Sequence, residues 1–367
     1  MIEHIDMGKA KIIFTSLIMV CTFLYSCKYK ECKNELLSSN LDNALQVKAT
    51  SILENKLIEL NALSGQAIIM EIQTGHIKAM VGLDRKDSAD YQPCKNFSQA
   101  HESALIQPIS ILAALESGKV TLSDKVDVGN GIYSIQDREL KDHNWHRGGY
   151  GELTVQEGLA VGSNIATYKT MEKAFGDNPQ TFFDLLANMS YGKPDSITGI
   201  ANLKPAHIVT PKDNNWAKSD FAWSSIGYNQ QISPIQILTF YNAIANNGKM
   251  IQPQLYKDSV VVINPQIASR ASIDSLKKAL VFNVTDGLCQ PAKSDKVVVA
   301  GMQGTSSLST NEDSTKDMYA VEFCGYFPTD NPKYSIIVSI NKTGLPASGG
   351  LMAGDVFKKI IVNLKQN

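Results

Sequence analysis

Between residues 120 and 290, two segments place a lysine three residues after a serine, a spacing that can activate the serine hydroxyl as a nucleophile. The pairs are Ser190–Lys193 and Ser275–Lys278. Side chains three positions apart on a helix share one face, so the amine can accept the hydroxyl proton while the oxygen attacks a carbonyl. Such a pair would support covalent acyl transfer.

The surrounding residues argue against both pairs. Pro194 disfavours helical backbone at Lys193, and Gly192 weakens a helix there further. The segment Ser275-Leu-Lys-Lys278 fits a helix, but adjacent lysines are typical of a solvated charged face. We therefore expect neither serine to be the nucleophile.

Histidines supply two weaker candidates. His143 and His146 have a metal-like spacing, but no third ligand is indicated and a glycine pair that follows predicts a loop. We expect no metal and no cofactor. His101 and Glu102 could line a cleft, although a polar helix start with a carboxylate favoured by the helix dipole explains Glu102 equally well.

Strand patterns at both ends of the chain enclose a mainly helical middle, from about 120 to 290. Alternating or continuous apolar runs predict strands, and apolar residues at helical spacing predict helices. The predicted elements are a helix over 41–60, strands over 67–72 and 77–82 joined by a turn, a buried helix over 105–115, strands over 297–300, 319–327 and 334–340, and a final amphipathic helix from Val356 to Leu364. Strands from distant segments imply an α+β fold: one antiparallel sheet, flanked by helices, with an inserted helical subdomain.

Composition excludes several classes of protein. Hydrophobic residues make up 43% and charged residues 19%, which is typical of an ordinary globular chain. The formal net charge of −1 gives no electrostatic footprint for nucleic acid, so no nucleic-acid partner is expected. Six cysteines show no C-x-x-C spacing, which removes the usual signal for a zinc or redox site.

The amino terminus has the pattern of an export signal. Lys9 and Lys11 precede an uncharged apolar stretch over 12–25, which is shorter than the ~20 residues of a membrane span. Ser26-Cys27 then resembles the lipobox of bacterial lipoproteins, although Tyr25 departs from the commonest pattern. We expect a signal peptide over 1–27 with Cys27 as the lipid anchor, a short tether over 28–40, and one domain over 41–367 in the periplasm, without room for a further domain. A short uncleaved anchor is the alternative.

Eight segments together resemble the transpeptidase domain of penicillin-binding proteins, which cross-link peptidoglycan. Each match is weak alone, but their order and spacing over most of residues 41–365 make the resemblance specific. The segments are 41–46, 70–80 (Met-Glu-Ile-Gln-Thr-Gly-His-Ile-Lys-Ala-Met), 150–155, 198–200 (Thr-Gly-Ile), 226–228, 233–236 (Ser-Pro-Ile-Gln), 245–248 (Ala-Asn-Asn-Gly) and 323–328. The resemblance implies the α+β fold of that family and a site built from three motifs, S-x-x-K, S-x-N and K-T-G.

The first motif of this family is altered at both reactive positions. The matching stretch, 102–108, places Ala104 where the nucleophile is expected and Gln107 where the lysine base is expected. A methyl group cannot attack a carbonyl, and an amide is not a base near neutral pH. Starting the motif at Ser103 instead leaves Ile106 at the lysine position.

The second and third motifs are also altered at the positions that carry reactive side chains in the family. In the second, Gly162 replaces the first serine and Asn164 is kept. In the third, Met302 replaces the cation that holds a substrate carboxylate, Gln303 replaces threonine, and Gly304 and Thr305 are kept. A literal set of motifs, made of Ser190–Lys193, Ser309–Asn311 and Lys342–Gly344, also occurs in order, but the last lies two strands from the expected place.

These substitutions favour a non-catalytic protein of the cell envelope. The resemblance implies that backbone N–H groups of Ala104 and Thr305 form an oxyanion hole, which side-chain changes would leave intact. We expect binding of a peptidoglycan stem peptide or of a cell-wall synthesis protein. The alternative is an active D,D-transpeptidase or carboxypeptidase with a relocated nucleophile such as Ser103 or Ser163. A third hypothesis is non-covalent sensing of β-lactams or muropeptides.

Overall fold

The computed structural model describes residues 39–364, apart from 88, 89, 96, 257, 258 and 310–315. The helices are α1 (Asn43–Leu60), α2 (Gln107–Glu116), α3 (Val155–Ala160), α4 (Asn164–Phe175), α5 (Gln180–Asn188), α6 (Asp220–Ile226), α7 (Pro234–Ala245), α8 (Arg270–Thr285) and α9 (Asp355–Asn363). The long strands are β1 (Ser64–Glu71), β2 (Ile77–Arg85), β12 (Ala300–Ser309), β13 (Met318–Phe327) and β14 (Tyr334–Thr343). The short strands are β3 (Tyr91–Pro93), β4 (Lys125–Gly129), β5 (Ile132–Ile135), β6 (Arg138–Lys141), β7 (Gly151–Thr154), β8 (His207–Ile208), β9 (Gln230–Gln231), β10 (Met250–Ile251) and β11 (Val262–Asn264).

The predicted signal peptide, Cys27 and most of the predicted tether lie outside the described residues. Within the part that is described, no helix is long and apolar enough to cross a membrane.

One antiparallel sheet of six strands forms the frame, in the order β12-β13-β14-β1-β2-β3. Strand β1 lies between β14 and β2, with Ile68 opposite Ile337 on one side and Met80 on the other. The central pairing therefore joins residues from the two ends of the chain. The prediction of an α+β fold with such a sheet is confirmed.

The two faces of the sheet bury separate clusters, which explains the continuous apolar run over residues 67–70 of β1. Ile68 and Met70 pack with the helices of the middle of the chain, including α2, α4 and α7. Ala67 and Ile69 belong to the cluster of the opposite face, where α1 and α9 pack. Alternate strand side chains point to opposite faces, so a strand covered on both faces needs apolar residues at every position.

The residues at its two ends determine where helix α1 begins and ends. Asp42 accepts a hydrogen bond from the Leu45 N–H at 3.0 Å and caps the start of α1, and Asn61 ends the helix in the left-handed region. The predicted helix over 41–60 is therefore confirmed.

The prediction of a strand over 297–300 was wrong in position. Strand β12 begins at Ala300 and runs to Ser309, and the side chain of Val298 is 53% exposed in the preceding loop. The residues from 303 to 307 are Gln, Gly, Thr, Ser and Ser, so the strand lacks the apolar alternation that makes a strand visible in a sequence.

Candidate functional site

The first altered motif lies at the start of the buried helix α2. Ala104 begins a short 3₁₀ turn, Ala104–Ile106, and the Gln107 N–H closes it by donating to the Ala104 carbonyl. Residues three apart in such a turn lie on the same side. Ala104 is partly exposed, whereas the side chain of Gln107 is 2% exposed.

A hydrogen bond joins the first motif to the second. Gln107 Nε2 donates to Asn164 Oδ1 at 2.9 Å, and Asn164 Nδ2 donates to the Lys141 carbonyl at 2.9 Å. These two bonds fix the orientation of both amides. Rotating either amide by 180° would place a donor against a donor or an acceptor against an acceptor. Gln107 Oε1 is buried without a hydrogen-bond partner in the described part of the chain. The side chain at the position that the resemblance assigns to lysine is thus an amide, which is not a base near neutral pH.

Ser163 in the second motif serves the fold. Its Oγ accepts from the Ala166 N–H at 3.0 Å and caps α4, and it donates to Asp142 Oδ2 at 2.7 Å. Asp142 Oδ1 also accepts from the Ile165 N–H at 3.1 Å. Burial raises the pKa of Asp142, against the opposing effect of these bonds. Ser163 is fully buried, so its hydroxyl has no route to a substrate without rearrangement.

The third motif lies on β12, an edge strand of the sheet, and faces the second. Met302 is 2% exposed, and its sulfur lies 3.3 Å from Asn283 Nδ2. A side chain added at Gly162 would bring its Cβ within 4.0 Å of Met302 Cε. The positions that the resemblance assigns to a hydroxyl and a cation are thus neighbours, and here they hold a glycine and a thioether.

The remaining members of the third motif bind the loop that follows β14. Gln303 Oε1 accepts from the Gly350 N–H at 2.6 Å, and Thr305 Oγ1 accepts from the Gly349 N–H at 3.1 Å. Gly304 packs closely on the 3₁₀ turn, since a Cβ there would lie 3.3 Å from the Leu105 nitrogen. The three motif segments therefore converge.

The expectation of an open oxyanion hole needs a correction. The Ala104 N–H donates to Ser306 Oγ at 3.0 Å, so the chain's own hydroxyl occupies this donor. Ser306 lies on β12 on the same face as Met302 and is 5% exposed. A ligand carbonyl would have to displace that hydroxyl.

A buried charged network lies directly beside Ala104. Glu322 on β13 is fully buried; His101 Nε2 lies 3.0 Å from its Oε1, and Ser103 donates its hydroxyl to Oε2. Burial disfavours the charged forms of both His101 and Glu322. The attraction between the two groups and their hydrogen bonds outweigh this effect. The pKa of His101 is raised by Glu322, and the pKa of Glu322 is lowered by His101 and by hydrogen bonds from Ser103 and Ser339.

Glu102 and Ser103 both have local structural partners. Glu102 Oε1 accepts from the Asn229 N–H at 2.8 Å. Ser103 Oγ accepts from the Leu105 N–H at 3.2 Å, so it caps the 3₁₀ turn. Both residues therefore help to hold the backbone around Ala104.

The literal serine–lysine pairs do not form sites. Ser190 has a φ of +57° after α5, and Lys193 pairs with Asp195 at the surface. Lys342 lies within β14, which is longer than predicted, and donates to the Thr343 and Pro346 carbonyls.

Two of the remaining candidates lie at the surface, and a third falls partly outside the described residues. Lys277 and Lys278 of the second serine–lysine candidate border a shallow groove of about 470 Å³ on α8.

The His143 side chain bonds to Tyr150 Oη at 3.0 Å, and the residues described include no group of three potential metal ligands. Thr310 and Asn311 lie outside the described residues.

Sequence reasoning missed Ser306, Glu322 and Asp142. Each contacts a residue in or beside a motif from another segment, at separations from 21 positions for Asp142 and Ser163 to 219 for Glu322 and Ser103. An isolated serine or carboxylate in a strand gives no signal of such a partner.

A family model and curated relatives match this chain. The model described as the penicillin binding protein transpeptidase domain matches residues 65–362. A probable peptidoglycan D,D-transpeptidase PbpC of Pseudomonas aeruginosa is 25% identical over 340 residues, covering 88% of this chain and 57% of that protein. The peptidoglycan D,D-transpeptidase FtsI of Escherichia coli is 23% identical, covering 87% and 53%. The chain thus spans little more than half the length of these relatives.

A solved structure shares the fold. The transpeptidase domain of Burkholderia pseudomallei penicillin-binding protein 3 superposes with a TM-score of 0.75 at 22% identity, covering 89% of this chain and 94% of that one.

Proposed function

The chain belongs to the penicillin-binding protein transpeptidase family, and we propose that it is a catalytically inactive member that binds a peptidoglycan stem peptide. The observation that carries the proposal is the pair Ala104 and Gln107, which occupies the nucleophile and base positions at the point where the three motifs converge. Removing the nucleophile of a serine acyl enzyme typically lowers turnover by about a millionfold.

The edge of β12 supports peptide binding. An edge strand presents unpaired backbone groups, and an extended peptide can add to it as a further strand. Side-chain substitutions leave such backbone contacts available. Because Met302 supplies no charge for a terminal carboxylate, we expect weak binding, with a Kd on the order of 0.1–1 mM.

Calorimetric titration of the full chain, purified in detergent, with a synthetic stem pentapeptide tests this proposal. Ala104→Leu places bulk beside β12 and should weaken binding about tenfold or more. Ala44→Leu is the matched control, since Ala44 is exposed on α1 at the opposite face of the sheet, and should bind like the parent. Absence of peptide binding, or equal binding by both variants, would contradict the proposal.

One observation favours the alternative of an active enzyme. The Ser103 hydroxyl donates to the Glu322 carboxylate, which could act as its base. Against this, Ser103 is 5% exposed, and the lowered pKa of Glu322 makes it a weak base. The alternative predicts a covalent penicillin adduct that Ser103→Ala abolishes.

We also propose that Cys27 tethers the chain to the membrane of the cell envelope. The support is the apolar stretch that ends in Ser26-Cys27. Labelling of the expressed chain with a radioactive fatty acid should be lost in Cys27→Ser. Labelling that survives this substitution would contradict lipidation at Cys27.

A further inference from the structure

The segment 141–147 combines an exposed aromatic ring with several N–H donors, and the site described above makes no use of them. Trp145 is 44% exposed, the most exposed of the three tryptophans. Lys141 Nζ lies 5.0 Å from the centre of its ring, and His146 meets it edge-on at 6.0 Å. His146 and Arg147 are exposed as well.

This segment, called here the tryptophan loop, borders the altered motifs. The Lys141 carbonyl accepts from Asn164 Nδ2 at 2.9 Å, and Asn164 in turn accepts from Gln107. Asp142 holds Ser163, and the Asp142 carbonyl accepts from the Trp145 N–H at 3.1 Å. Two hydrogen bonds therefore separate the tryptophan loop from the side chain at the base position.

Backbone contacts hold the tryptophan loop in place. A Cβ at Gly131 would lie 3.0 Å from the Trp145 Cα, so a neighbouring backbone packs against the loop. The Arg147 N–H donates to the Asn144 carbonyl at 2.8 Å in the 3₁₀ turn Trp145–Arg147. An exposed ring on a fixed backbone loses little conformational freedom when it binds.

Charge and shape favour one class of ligand. Among the acidic neighbours on the chain, Glu139 pairs with Lys141 at 2.9 Å and Asp142 is buried. The exposed groups are thus an indole, N–H donors and the Glu139 carboxylate, whose charge Lys141 offsets. A pyranose ring presents an apolar C–H face surrounded by hydroxyl and carbonyl acceptors, which complements the negative face of an indole flanked by donors.

We propose that the tryptophan loop is a subsite for the amino-sugar glycan strand of peptidoglycan, beside the peptide site. Trp145 stacks on one sugar ring, and His146 and Arg147 donate hydrogen bonds to its oxygens. This inference rests on the proposed function, since the glycan and the stem peptide are parts of one polymer.

The experiment titrates the full chain in detergent with chitotetraose, an oligomer of N-acetylglucosamine, and separately with the stem pentapeptide. Trp145→Ala should lower the affinity for chitotetraose about tenfold and leave peptide affinity within about twofold. Trp145→Tyr retains an aromatic face and should keep most of the sugar affinity. Tyr256→Ala is the control, because Tyr256 is 41% exposed elsewhere on the surface.

The two proposals fail in different ways. Peptide binding without chitotetraose binding, or with chitotetraose binding that Trp145→Ala leaves unchanged, overturns the glycan subsite alone. Chitotetraose binding through Trp145 without peptide binding supports the subsite and contradicts the stem-peptide proposal. Binding of an acidic protein fragment through the tryptophan loop, with none of chitotetraose, would assign this surface to a protein partner and overturn the inference.

Discussion

The proposal of inactivity rests on three residues at positions that the family resemblance assigns to reactive groups. Ala104 lacks the hydroxyl, Gln107 lacks the amine, and Met302 lacks the cation. Gln107 and Met302 are both nearly inaccessible and have polar neighbours suited to them, Asn164 and Asn283. Buried packing of this kind is consistent with the proposed binding role.

The pair His101–Glu322 predicts a pH-dependent stability. The pKa of His101 is raised from its ordinary value of 6.5, so its contribution is present below that pH and lost as the pH rises through the raised pKa. The pKa of Glu322 is lowered from 4.5, so its contribution is present above that pH and lost as the pH falls through the lowered pKa. The two contributions coexist most fully between these values.

Glu322→Gln keeps the shape and removes the charge. Urea unfolding should show the variant less stable than the parent by about 3 kcal/mol between pH 4.5 and 6.5, and by less once the pH has risen through the raised pKa of His101. Glu152→Gln, at an exposed carboxylate, is the control. A difference that does not change with pH would mean that the pair is not ionised.

At the scale of single residues, the sequence can locate a motif position but not the distant residues that contact it. Ala104 and Gln107 can be located because Pro108 and the apolar run after it mark the start of α2. Ser306 cannot be recognised as the partner of the Ala104 N–H, because the two meet only when β12 docks on the 3₁₀ turn. Tertiary partners of this kind have no local signal.

At the scale of elements, periodicity was informative wherever one face was apolar. Helices α1, α2 and α9 and strands β13 and β14 lie close to their predicted positions. The prediction placed the strand before Ala300, where β12 begins. The polar residues of β12 form no apolar stripe, because they bind the 3₁₀ turn and the segment after β14. Strand β12, which shapes the site, is therefore the element that hydrophobic periodicity predicts least well.

Helices α1 and α9 are joined by a shielded ion pair, which gives a prediction at this scale. Lys56 is 6% exposed, and its Nζ lies 2.7 Å from Asp355 Oδ2. Asp355→Asn should destabilise the fold by about 1–2 kcal/mol, because it leaves Lys56 with Glu59 alone. Denaturant unfolding measures the change.

An exposed pair of the same length is the control. Lys125 and Glu152 also lie 2.7 Å apart, and Glu152→Gln should cause no measurable loss of stability. Equal effects of Asp355→Asn and Glu152→Gln would contradict a special role for the α1–α9 pair.

At the scale of the whole molecule, the fold holds together the two ends of the described chain and leaves the site between the sheet edge and the inserted helices. Strand β1 pairs with β14, and the three motifs come from α2, the start of α4 and β12. This convergence could be predicted only through the family resemblance, since composition and periodicity give no distances between remote segments. The formal net charge of −1 provides little long-range electrostatic attraction for a charged ligand.

Intact-mass analysis after incubation with a fluorescent penicillin tests the central claim, that the site cannot form an acyl-enzyme, most directly. The full chain and its Ser103→Ala variant are compared, with an active relative treated in parallel to verify the reagent. We predict that the mass of the full chain stays unchanged while the relative gains one penicillin. A stoichiometric adduct on the full chain that Ser103→Ala abolishes would contradict the account and identify Ser103 as a working nucleophile.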